Sequence, residues 1–327
     1  MEQDLSITLE GFDTKENADY IGNNTLETIR ILEKNYELDI SKLRKVVISV
    51  DFPSALQRIT SEYQHRLPSS YTDSSQAVAI AKTIARMGSN GQCDEYALIL
   101  SVDFFREWFQ EGGVASIDKT NIYPVFHRLH HELVHIHEKN TLAHLDQRKI
   151  IGNYDDALLM LATSAWSEYL ANFLSSTTAP DEPIIDTLET LERVLNEVPS
   201  EISAYVHKRK LGLVPLDEMH FAVRDRVKLI ANMYAYSQGY IDGVNIDVEE
   251  NFPELNKLFS DSILSKQLSN LGKELFTLKA TYDNRQLKDY DAFSRITDVI
   301  DSIYRAFGLQ LKRTTGENGA DLYIHIS

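Results

Sequence analysis

Pro124-Val125-Phe126-His127-Arg128-Leu129-His130-His131-Glu132-Leu133-Val134-His135-Ile136-His137-Glu138-Lys139 is the stretch on which the reading of this chain turns. Phe126, Leu129, Leu133 and Ile136 recur at the three- and four-residue spacing of a helix, and Pro124 suits a first helical turn. On that helix His131 and His135, four apart, stack on one face at about the separation two imidazoles need to hold a single zinc ion. Glu132 stands beside the first of them, and from there its carboxylate can reach a water in the open coordination position of such a metal. The pattern is HExxH. Six of the ten histidines, at 127, 130, 131, 135, 137 and 144, fall within one eighteen-residue window.

A catalytic zinc takes three protein ligands and keeps one position open, so a third ligand must come from elsewhere. His127 is also four residues from His131, but residues at i, i+4 and i+8 span about 12 Å along a helix axis, too far to meet at one ion. His130 and His137 point to other faces, as polar surface or outer-sphere residues. Glu168 is the better candidate. It is the only charged residue between Ala157 and Pro180, in the run Ala165-Trp166-Ser167-Glu168-Tyr169-Leu170-Ala171-Asn172-Phe173. An unpaired charge in so apolar a helix is costly to bury, and zinc would supply the partner. The short side chains of Ser164, Ala165, Ala171 and Asn172 would let this helix approach another closely.

HExxH followed about thirty residues later by a helix bearing a glutamate resembles the gluzincin-type metallopeptidases. Glu168-Tyr169-Leu170-Ala171-Asn172 is most similar to the ExxAN segment of ImmA/IrrE-type peptidases. The resemblance covers roughly residues 97 to 180 and does not reach the carboxyl half. Metzincins are excluded, since they carry a Gly three residues and a third His six residues after the second motif histidine, where this chain has Glu138 and Thr141. The resemblance implies a zincin-like α+β catalytic domain, one Zn2+ per chain held by His131, His135 and Glu168, Glu132 as general base and Asn172 as an outer contact. It also suggests a regulated peptidase acting on a limited set of protein partners, with a peptide or protein as substrate and a regulatory protein partner; the helical lobe would recognise the cleaved partner or a signal. Tyr205, His207 and His220 are carried as oxyanion donors only because they follow Glu168. In zincin folds the strand before the active helix binds an extended peptide as a further strand, a part Ala97 to Phe105 would take. A second reading keeps the zinc in a non-hydrolytic sensing or interaction module. The intact Glu132 favours catalysis.

Outward from the motif, the first hundred residues read as mixed α and β. Leu5, Ile7 and Leu9 alternate as a strand, Thr25 to Glu37 is helical behind Asn24, and Val46 to Phe52 is a β-branched run ended by Pro53. Ala77 to Ile84 fits strand or helix, 87–91 is turn-rich, and Ala97 to Phe105 reads as a buried or edge strand. A second helix is expected from about Asp155 to Leu174, and Thr177 to Pro183 reads as a linker. Beyond it the pattern is helical at Ile184 to Val198, Asp217 to Gln238, Pro253 to Thr281 with a break, and Asp289 to Phe307. A short strand follows at Asp321 to Ile326. The expected organisation is therefore a domain at 1–178, with a small mixed sheet and the motif helix, followed by a mainly helical domain at 179–327.

Lys and Arg total 33 against 49 Asp and Glu, a net charge of −16 that disfavours phosphate backbones and anionic membranes as partners. The lone Cys93 allows no intrachain disulfide and fits a reducing cytoplasm. Met1-Glu2-Gln3-Asp4 is acidic and precedes no secretory-type apolar core, and no run approaches the roughly 18 apolar residues of a membrane span.

Overall fold

The computed structural model describes residues 5–64, 80–89, 92–109, 113–118, 121–145, 152–314 and 321–327. The expected segments 77–84 and 87–91 lie outside them at 77–79 and 90–91, as does the acidic start at 1–4. The chain is mixed α and β, mostly helical with a small mixed sheet, and it divides into two compact units. These are Met1–Ala143 with Thr178–Pro180, and His144–Thr177 with Asp181–Ser327.

The first unit is built on β1 (Ser6–Glu10), β2 (Leu43–Ser49), β3 (Ala81–Met87) and β4 (Cys93–Ser101) in the order β1-β2-β4-β3. β1, β2 and β4 run parallel, and β3 is antiparallel to β4. A parallel pair needs a crossover, and α1 (Lys15–Asn35) supplies it between β1 and β2. Val46, Val47 and Ile48 are all fully buried, the mark of a strand covered on both faces. On one face α2 (Phe52–Glu62) sets Phe52, Ala55, Leu56 and Ile59 against Val47, Ala97 and Ile99. Strand alternation turns Val46, Ile48, Leu98 and Leu100 to the other face, where they are equally buried. The motif helix α3 (Ile122–Thr141) packs against α1 and touches β3.

Two expectations need correction here. α1 begins at Lys15, capped by Thr14, whose hydroxyl accepts from the Asn17 N–H at 3.2 Å. Asn24 lies inside that helix and donates to the Tyr20 carbonyl instead of capping. The early turns carry few apolar residues, so the helical stripe is not visible before Ile21. β4 is not an edge. It is paired on both sides, by β2 and β3, and it ends at Ser101, where the Ser101 hydroxyl accepts from the Asp103 N–H and opens a 3-10 turn over Val102–Trp108. An added peptide strand therefore has no free side of β4 to join.

The second unit holds α4 (Gly152–Ala157), α5 (Leu159–Ser175), α6 (Asp181–Lys210), α7 (Leu216–Val244), α8 (Val248–Asn251), α9 (Pro253–Asp261), α10 (Ser265–Asp283) and α11 (Ser294–Ala306). β5 (Leu309–Arg313) and β6 (Leu322–Ile326) close it as an antiparallel pair. The helix expected from Asp155 is interrupted at Leu158, whose φ of −120° and ψ of −64° are not helical. Much of the expected linker is helical too: Ser176–Thr178 is a 3-10 turn, and α6 starts at Asp181 with Pro183 in its first turn. α6 also runs through Pro199 to Lys210, losing one backbone donor rather than ending at Val198. Among the described residues no helix is long and apolar enough to cross a membrane.

α5 and α7 lie against each other so closely that only glycine fits at two points. A Cβ on Gly239 would stand 2.5 Å from the Tyr169 carbonyl oxygen, and one on Gly243 would stand 2.9 Å from that of Phe173. Both obstacles are backbone atoms and cannot rotate away. Gly239→Ala should therefore destabilise the protein by about 1–3 kcal/mol despite its better helix propensity, read as a lowered urea midpoint. A midpoint equal to or above wild type would show that the two helices can separate at no cost.

Candidate metal centre

α3 is entered through a reciprocal turn in which the Asp118 N–H donates to Asn121 Oδ1 at 2.8 Å and the Asn121 N–H to Asp118 Oδ1 at 3.2 Å. Its inner stripe, Val125, Leu129, Leu133 and Ile136, is fully buried. Arg128 fixes its rotation: Nε donates to the Phe104 carbonyl at 3.1 Å, and the guanidinium pairs with Glu107. Farther along, His137 Nδ1 accepts from the Asp39 N–H at 2.8 Å, and Asn140 Nδ2 donates to the Asp39 carbonyl at 2.9 Å.

On the helix so held, the Nε2 atoms of His131 and His135 are 3.0 Å apart, with the rings nearly perpendicular and their centroids 4.7 Å apart. Two nitrogens at 2.0–2.1 Å from a tetrahedral ion stand about 3.3 Å from each other, so this pair is nearly set for one ion. His131, His135 and Glu168 form a group that could hold a metal ion, with one potential ligand atom from each lying within 4.8 Å of the others. It is the one such group among the described residues. Two imidazoles and a carboxylate are a donor set that suits zinc. Glu132 is half-buried on the same helix, next in sequence to His131.

The other histidines have separate work. His127 Nδ1 and His130 Nδ1 lie 3.2 and 3.1 Å from the Thr178 hydroxyl oxygen. A hydroxyl has one proton to give, so it can donate to at most one of the two rings. His130 Nε2 is buried with no hydrogen-bond partner. Its ring stacks on Tyr36 at 4.1 Å, and burial, with His131 beside it, pushes its pKa down to about 3. His144 Nε2 donates to the Leu287 carbonyl at 2.8 Å in the second unit.

The remaining candidates sit in hydrogen bonds and packing of the second unit. Asn172, fully buried, donates from Nδ2 to the Tyr236 carbonyl at 2.8 Å and so ties α5 to α7. The Tyr205 ring lies under Arg226 at 4.7 Å and Lys208 at 5.1 Å, and His207 is exposed. His220 is buried against Phe221, and burial together with Arg224 pushes its pKa down. Sequence reading missed two contributors, Thr178 and Glu107. Thr178 sits in a stretch that reads as linker, and nothing in the spacing ties it to α3. No family model, no curated protein and no solved structure matches this chain.

The Arg128–Glu107 pair has a pH signature. Burial alone would raise the Glu107 pKa, but hydrogen bonds from Arg128 and Arg106 outweigh it and hold the carboxyl below its usual range. A folded pKa below the unfolded one, about 4.3, means that the pair stabilises the protein above that value and loses its effect as pH falls through the lowered one. Glu107→Gln should thus lower the urea midpoint at pH 7, and the loss should shrink as pH falls below about 4. Equal losses above and below that pH would assign the effect to packing instead of charge.

Proposed function

We propose that this chain is a zinc-dependent peptidase with a zincin-like first domain, acting in the cytoplasm on a limited set of protein partners. The observation that carries this reading is the group of His131, His135 and Glu168, two imidazoles four apart on a helix with a carboxylate from a second helix. These residues would hold the ion. Bound zinc supplies a Lewis acid that polarises a carbonyl and lowers the pKa of water toward about 7.

The protein's own part falls to Glu132. A carboxylate next to the first ligand can accept a proton from the attacking water and return it to the leaving amine as the peptide bond breaks. The buried α3 stripe and the Arg128–Glu107 pair support that geometry by keeping the helix from turning. An intact base supports hydrolysis over a purely structural zinc module, which has no use for a carboxylate at that position.

Protein purified without chelator should carry close to one zinc per chain, and His131→Ala or His135→Ala should lose most of it. Glu168→Ala should weaken zinc at least about tenfold, while His144→Ala, whose ring is engaged by Leu287, should leave the metal in place. Full occupancy in both histidine variants would end the assignment.

Glu132→Gln separates catalysis from binding. The variant should keep wild-type zinc content and thermal midpoint while cleavage of a mixed peptide library, or of a captured partner, falls at least about 100-fold. Equal cleavage by the variant and wild type would show that the activity does not use this chemistry.

A further inference from the structure

We propose that the turn joining α6 to α7 is a contact surface for a second copy of this chain. Between Lys210 and Asp217 the sequence is Leu-Gly-Leu-Val-Pro-Leu, with no polar side chain. Leu211 is 60% exposed, Leu213 68% and Leu216 39%, and Phe221, just beyond in α7, is 54% exposed. An exposed apolar run of this length serves no purpose in the fold of a single chain.

The turn is also rigid. Gly212 takes a φ of +73°, its N–H donates to the Arg209 carbonyl at 2.9 Å, and the Leu213 N–H donates to the Lys208 carbonyl at 2.9 Å. In a helix cap of this kind the residue after the glycine usually packs back on the last helical turn. Here that turn is His207 to Lys210, and Leu213 stays largely exposed to solvent. Arg209 closes the loop from the other side by donating to the Val214 carbonyl at 3.3 Å. The leucines are thus held out on a preformed surface whose ordering cost has already been met by the fold.

The flanking charges select the occupant. Lys208 and Lys210 are exposed at the end of α6, Lys208 lying over the Tyr205 ring and Lys210 donating to the Ser327 carbonyl, and Asp217 and Glu218 are exposed at the start of α7. α6 and α7 pack together through a short connection, so the two charge pairs flank the turn from opposite sides. These signs suit the helix dipoles, but the dipoles do not require leucines between them. An anionic bilayer would meet the acids as well as the lysines, on a chain of net charge −16. A second copy related by a two-fold axis meets no such conflict. Each lysine pair faces the other copy's acids, and leucine faces leucine, as an isologous contact demands. The patch is smaller than the about 20–30 residues a side of a standard interface, so the dimer should be weak, with Kd roughly 10–100 μM.

Sedimentation velocity on the full chain, from about a tenth of that constant to about ten times it, should show a monomer passing to a dimer. Leu213→Asp should remain monomeric throughout with an unchanged thermal midpoint. K208E/K210E and D217K/E218K should each weaken association about tenfold or more, and an equal mixture of the two should recover it, because the swapped charges again face opposites. A monomer at every concentration, association untouched by Leu213→Asp, or no recovery in the mixture would overturn the proposal. So would flotation of monomeric protein on phosphatidylserine vesicles that is lost in Leu213→Asp, which would assign the leucines to a lipid surface.

Discussion

Two imidazole nitrogens 3.0 Å apart, from residues four apart on one helix, hold that spacing only while the helix does not fray. A rotation of the helix about its axis would leave that spacing intact but turn both rings away from the group they form with Glu168. The first unit resists this rotation in several independent ways. Val125, Leu129, Leu133 and Ile136 are fully buried along the inner side of α3, Arg128 is bonded to both Phe104 and Glu107, and His137 and Asn140 both engage Asp39. Three of the helix's five histidines, His127, His130 and His137, lie outside the metal group, and all three are bonded to other parts of the first unit. Much of the histidine cluster therefore belongs to the support of α3, and only two members face a candidate ion.

The division of labour between the units is set by different packing rules. In the first, a parallel core strand buried on both faces imposes β-branched residues at Val46, Val47 and Ile48, and the helices adapt to the sheet. In the second, close helix contact imposes small residues, with Gly239 and Gly243 placed against backbone atoms of α5. Asn172 adds a directional bond from α5 to the Tyr236 carbonyl, which also satisfies its buried amide.

Legibility in the sequence followed the length and strength of each pattern. The motif helix could be read with its first-turn proline, and the group of His131, His135 and Glu168 that could hold a metal could be named, because four-residue spacing and a lone carboxylate in an apolar run are local signals. β1, β2 and β6 were legible from alternation or β-branching. α1 was found ten residues late, since its polar opening turns hide its stripe. β5 was missed because five residues with two buried leucines are too short to announce a strand, and only pairing with β6 defines it. The sequence left β4 as a buried or an edge strand, and could not decide between them. Whether an apolar run is flanked on one side or two depends on β2 and β3, which lie far from it in sequence or in an ambiguous segment. Thr178 illustrates the same limit, as a threonine in an apparent linker whose hydroxyl serves two histidines some fifty residues earlier.

The parallel register of β2 and β4 has a kinetic side. Val46 pairs with Leu98 and Ile48 with Leu100, so the central ladder of the first unit joins residues about fifty apart before any ladder bond can compensate for closing that loop. The helices α6 and α7, by contrast, meet across a short turn and can zip from it. Rates of folding track the sequence separation of contacts. The α6–α7 hairpin, although synthesised later, is then the faster to form, and the sheet of the first unit sets the pace at which His131 and His135 come to lie on a fixed helix.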